Sequence, residues 1–116
     1  MATFNGSEGG PISLETAKKW TANYRATIKP GETEAHYWGA AIIRRLLDED
    51  RSVGIRAYYA IDDNGKKQLL LVGVDEDGNN LLPQEGAASK SATAEGDPII
   101  VDQSLPCPPH CGSRPL

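Results

Sequence analysis

The stretch SVGIRAYYAIDDNGKKQLLLVGVD, residues 52–75, constrains the fold more than any other part of the chain. Two runs of strand-favouring residues flank DDNG, and Asn64-Gly65 is a strong hairpin-turn signal because both residue types tolerate positive φ. In the first run Val53, Ile55, Ala57, Tyr59 and Ile61 alternate with Gly54, Arg56, Tyr58 and Ala60, the period of a strand with one apolar face. The second run does not alternate. Leu69, Leu71 and Gly73 fall on one face, and Leu70, Val72 and Val74 on the other. A hairpin with one wet face should alternate, so this strand needs cover on both sides. Helices of the same chain can supply one side. The C-terminal segment, a second chain, or both are expected on the other.

Two helical patterns precede the hairpin. Ser13 is a good N-cap for a helix starting at Leu14, with Glu15 near the positive end of the dipole and Ile12 and Ala17 set for a small hydrophobic staple. That helix should fade by Thr27, ahead of the breaker pair Pro30-Gly31. In ETEAHYWGAAIIRRLLDED (32–50), Thr33 is the expected cap. Ala35, Trp38, Gly39, Ile42, Ile43, Leu46 and Leu47 form one apolar stripe. Trp38 and Tyr59 are assigned to the core. The expected fold is α+β, a two-helix pair packed on a small antiparallel sheet made of the hairpin and a C-terminal strand. DEDGNN (75–80) reads as a second turn, and Leu81-Leu82 as the start of a short strand.

Four segments result. Residues 1–11 are rich in Gly and Ser and read as a flexible N-terminal arm. Residues 12–82 are the α+β domain, and a core drawn from about 70 residues is marginal by itself, which favours a partner or an oligomer. Residues 83–97, PQEGAASKSATAEGD, read as a linker. Residues 98–116 are an extended C-terminal segment. Ile99, Ile100 and Val101 look like a strand added to a sheet edge, in cis or on a neighbouring subunit, and the CPPHC tail follows.

Composition narrows the partners. A net charge of −4 and no long Lys/Arg run disfavour nucleic acid, whose phosphates require a basic footprint. No apolar run approaches the ~18 residues of a membrane span. MATFNGSEGG lacks the basic and apolar regions of a secretory signal. The expectation is therefore a cytoplasmic protein, with export by another route left open.

Both cysteines lie in Cys107-Pro-Pro-His-Cys111. A disulfide would close a short ring stiffened by Pro108-Pro109. A structural zinc site needs four N/S ligands, and Cys107, His110 and Cys111 supply three, so one chain falls short where two would suffice. A thioredoxin-type dithiol requires C-x-x-C at a helix start, and this spacing is one residue longer. The turn DEDGNN resembles the opening of a calcium loop, but position six is Asn80 and position twelve is Gly86 where that loop needs Gly and Glu. His36, beside Tyr37 and Trp38, reads as structural. No nucleophile elbow, zinc-protease, P-loop or dinucleotide motif occurs, so no catalytic residue and no cofactor is assigned.

AAIIRRLLDED, VGIRAYYAIDDNGKKQLLLVGVDEDGNN and DQSLPCPPHC resemble small uncharacterised bacterial proteins of the Bacteroidota type, with a VGIR-x-Y strand, an LVGVD strand and a CPP-x-C ending. The resemblance spans most of 35–111. It implies that hairpin and cysteine tail belong to one design, and it implies no activity. The functional expectation is a non-enzymatic structural or interaction protein that self-associates. Its interface candidates are Tyr58, Arg56, Leu70, Val72, Val74, Ile99, Ile100 and Val101. The alternative is a thiol-redox or zinc-binding protein using Cys107, His110 and Cys111.

Overall fold

The computed structural model describes residues 4–84 and 96–116. Its elements are α1 (Leu14–Arg25), β1 (Ala35–Tyr37), α2 (Ala40–Leu47), β2 (Gly54–Ile61), β3 (Lys67–Val74), β4 (Asn80–Leu81), β5 (Ile100–Val101) and β6 (Leu105–Cys107). The chain forms two compact units. One combines the residues up to Glu8 with Trp38–Gln103, and the other combines Gly9–Tyr37 with Ser104–Leu116. The α+β class and the small antiparallel sheet stand. The two helices are divided, α1 in the second unit and α2 in the first, and within the first unit it is α2 that packs on β2 and β3.

In the first unit β3 is the central strand of a four-stranded antiparallel sheet. β2 pairs with it along its whole length, from Gly54 opposite Val74 to Ile61 opposite Lys67. The turn between them is held by Asp62, whose Oδ1 accepts the N–H groups of Asn64 and Lys66, both at 2.9 Å. Gly65 takes φ +79° there, the conformation that the sequence reserved for glycine. The second edge of β3 is shared end to end by two short strands. β5 takes Leu71 and Val72, and β4 takes Gly73 and Val74. The C-terminal run thus adds its strand in cis.

The core lies where α2 meets this sheet. Leu46 is fully buried against Leu71 and Val101, with Trp38, Ile42, Ile43, Ile55 and Ile99 packed around them. The opposite face of β3 is covered by the chain itself. Arg56, opposite Val72, reaches over to β4 and donates to Asn80 Oδ1 at 2.6 Å and to the Gly78 carbonyl at 3.1 Å. The Phe4 ring lies 5.8 Å from its guanidinium, at cation–π range. Asn80 in turn donates to the Tyr58 hydroxyl at 2.6 Å. Val72 and Val74 are buried on this face, as the doubly apolar pattern of β3 demanded.

One expected element is corrected. The helix predicted to begin at Glu34 begins at Ala40, with Gly39 as its N-cap, and Ala35–Tyr37 is the strand β1. The cause is non-local. β1 pairs antiparallel with β6, Ala35 opposite Cys107 and Tyr37 opposite Leu105, and the Glu34 N–H donates to the Cys107 carbonyl at 2.7 Å. The second unit consists of this two-stranded ladder and α1. α1 is capped as expected, with Ser13 Oγ accepting the Thr16 N–H at 3.0 Å.

Candidate functional site

Two places in the structure gather chemically useful groups, one in each unit. In the second unit, the chain turns sharply after β6. The peptide bonds Cys107–Pro108 and Pro108–Pro109 are both cis, and the His110 N–H returns to the Pro106 carbonyl at 2.9 Å. Cys107 and Cys111 stand at disulfide distance, their Cα atoms 4.8 Å apart. Beside them is an open cleft of about 480 Å³ lined by Trp20, Tyr24 and Arg25 of α1, by His36 and Tyr37 of β1, and by both cysteines.

The groups in that cleft are mostly engaged with one another. Arg25 lies 3.7 Å from Glu34 and donates to the Leu116 carbonyl at 2.8 Å. His36 Nδ1 is 2.7 Å from Ser104 Oγ, and partial burial lowers its pKa below the usual imidazole value. His36 is therefore a hydrogen-bonded strand residue, not the helix-start residue the sequence suggested. His110 is exposed on the turn. Among the described residues, no group of three or more His, Cys, Asp or Glu is placed to hold a metal ion. A closed disulfide would also withdraw both sulfurs from metal binding.

The second place is the open side of the four-stranded sheet. Among the described residues, no strand pairs with the other edge of β2. The face that carries Ile55 and Leu71 is roofed by α2, but the roof is short. An eight-residue helix is about 12 Å long, whereas an eight-residue strand runs about 26 Å. Ile55 lies under the helix end of the sheet. Ala57, Tyr59 and Ile61 continue the same face beyond it and are exposed, Tyr59 at 95% and Ile61 at 74%. Tyr59 was assigned to the core from its period-2 position, and that assignment is corrected. Its strand face is apolar as read, but the helix expected to cover it is half the length the sequence suggested.

The residues singled out as interface candidates fall into three groups. Val72, Val74 and Val101 are buried inside the chain, and Leu70 and Ile99 are partly buried. Arg56 is engaged with Gly78, Asn80 and Phe4. Tyr58 and Ile100 remain 43% and 45% exposed. Tyr59 and Ile61 were not among the candidates. The alternation that put them on the core face was legible, but the length of the helix above them was not.

No helix among the described residues is long and apolar enough to cross a membrane. No protein-family model, curated protein or solved structure matches the chain.

Proposed function

We propose that this chain is a non-enzymatic interaction protein that self-associates through the open side of its sheet. The observation that carries this reading is the uncovered end of the α2 face. There Tyr59 and Ile61 project from a strand whose second edge has no strand partner among the described residues. Isolated apolar side chains on a surface are ordinary. An apolar row on a long unpaired edge is a template for another strand, because it offers backbone hydrogen bonds and apolar area together. The C-terminal run supports the same reading less directly, since it fills the other edge of β3 in cis and leaves β2 as the available one.

The test is sedimentation of the intact chain over a wide concentration range, beside a Tyr59→Lys/Ile61→Lys variant. Both side chains are exposed, so the folded chain tolerates the change. The wild type should shift to larger species as concentration rises, and the variant should remain monomeric. A wild type that stays monomeric throughout overturns the reading.

A thiol-based role is the second reading, favoured by the cysteine pair beside an aromatic cleft. It bears on location. In a reducing cytoplasm such a pair is kept open, and outside it the pair closes. Counting free thiols in freshly isolated protein, with and without reductant, separates the two states.

A further inference from the structure

We propose that the Cys107–Cys111 pair exchanges with thiols that enter the cleft beside it, with Cys111 as the sulfur attacked and a polypeptide cysteine flanked by aromatic residues as the substrate. This rests on the thiol-based reading above, and it names the reacting atom and the substrate class.

Position supplies the first constraint. Both cysteines form part of the wall of the cleft, whose volume of about 480 Å³ is that of a small-molecule or side-chain site. The two are not equivalent. Cys107 is 7% exposed on β6, whereas Cys111 lies beyond the turn and is partly exposed. Exchange requires a thiolate to reach a sulfur, so access selects Cys111 and leaves Cys107 as the leaving group.

A purely structural bond accounts for less. The ring runs only from 107 to 111, and so short a loop removes less unfolded-chain entropy than a long one. β6 is held to β1 without it, by the ladder and by the Glu34 N–H on the Cys107 carbonyl.

The lining supplies the second constraint. Trp20, Tyr37 and Leu105 line the cleft and are exposed, which offers apolar and aromatic area to residues on either side of an incoming cysteine. The charged lining residues are Arg25, Arg114 and Glu34. Arg25 is engaged with Glu34 and the Leu116 carbonyl, so Arg114 leaves the cleft net positive. A positive cleft draws a thiolate in preference to a neutral thiol.

The exchange takes two steps. A substrate thiolate attacks Cys111 Sγ. The new S–S bond forms as the Cys107–Cys111 bond breaks, and Cys107 Sγ leaves with the electron pair and takes a proton from solvent. A second substrate thiolate then attacks the substrate sulfur of the mixed disulfide and releases Cys111, which is protonated in turn. Two substrate thiols become one disulfide, and two electrons pass to the protein.

The test uses the intact oxidised chain and two short peptides with one cysteine each, flanked by Phe in one and by Gly in the other. After brief incubation and alkylation, mass mapping should find the peptide on Cys111 and the alkyl group on Cys107. The Phe-flanked peptide should react faster by roughly 2- to 10-fold, the effect of one aromatic contact. Trp20→Ala should reduce that advantage and leave the Gly-flanked rate unchanged. Trp20 is exposed, so the variant keeps its fold. Adducts on Cys107 overturn the assigned sulfur. Equal rates for the two peptides, or an advantage that Trp20→Ala leaves intact, overturn the cleft as the substrate site. Each of these leaves the thiol-based reading in place. A folded chain whose pair exchanges with neither peptide overturns both.

Discussion

The Glu49 carboxylate accepts a hydrogen bond from the backbone N–H of Ile99 at 2.9 Å, although the two residues lie fifty positions apart. Glu49 is 3% exposed, and its other oxygen, Oε1, has no hydrogen-bond partner. The contact ties the end of α2 to the segment that leads into β5. It does so with a buried group that is ionised at neutral pH only against the cost of desolvation.

That cost sets a pH dependence. Burial raises the Glu49 pKa, while the Ile99 N–H and the charge of Arg45 partly oppose the shift. The folded chain therefore holds this proton more tightly than the unfolded chain does. Stability should fall as pH rises from the ordinary glutamate value of 4.5 through the raised value, and flatten above it. Glu49→Gln keeps an acceptor for Ile99 and removes the charge. Chemical denaturation across this pH window should show the wild-type decline, and the decline should be absent in Glu49→Gln. Parallel curves for the two proteins would refute the assignment.

Gly73 is the floor beneath this carboxylate. A Cβ at that position would collide with Glu49 Oε1. Gly73→Ala should destabilise the first unit by about 1–3 kcal/mol, the range for overpacking a filled site. In a Glu49→Ala background the same change should cost much less, since the obstructing atoms are gone. The double-mutant cycle measured by denaturant unfolding reads this coupling directly. Additive losses would show that the two residues do not share the space.

The cysteine pair can be probed without disturbing the first unit, because Trp20 lies in one unit and Trp38 in the other. In a Trp38→Phe chain, fluorescence reports on the second unit alone. A closed Cys107–Cys111 ring restricts only five residues, which by loop entropy stabilises by about 2 kcal/mol. Cys107→Ser/Cys111→Ser should lower the melting temperature followed by Trp20. A Trp20→Phe chain, followed through Trp38, should melt unchanged. Equal shifts at both tryptophans would contradict this separation.

Part of each unit was legible because its signals are local. The Asn64-Gly65 turn fixed the β2–β3 register, and Ser13 capped α1 as its position suggested. The doubly apolar β3 announced a central strand, and Ile100-Val101 proved to be its neighbour. The misreadings came from contacts distant in sequence. Ala35 opens a helical stripe, and nothing near it signals that Leu105–Cys107 will take Ala35–Tyr37 as a strand. The shortened α2 follows from that pairing, and exposure of Tyr59 follows from the short α2. Phe4 was read as part of a loose arm, since one aromatic ring among glycines and serines carries no periodicity to place it. Its role depends on Arg56, which periodicity put on the right face without naming its partner.

The ladders of β3 and β1 have a consequence for the order in which the protein is made. Val101 completes the edge opposite Leu71, and Cys107 completes the ladder opposite Ala35. A ribosome delivers the chain from its amino end at roughly 5–20 residues per second. The stretch up to Leu81 therefore emerges with β3 half-flanked and β1 without a mate. Residues 100–107 then supply both missing strands in about a second of translation at that speed. Both units wait for the same short stretch, and a nascent chain stalled before it would expose two unfinished sheets at once.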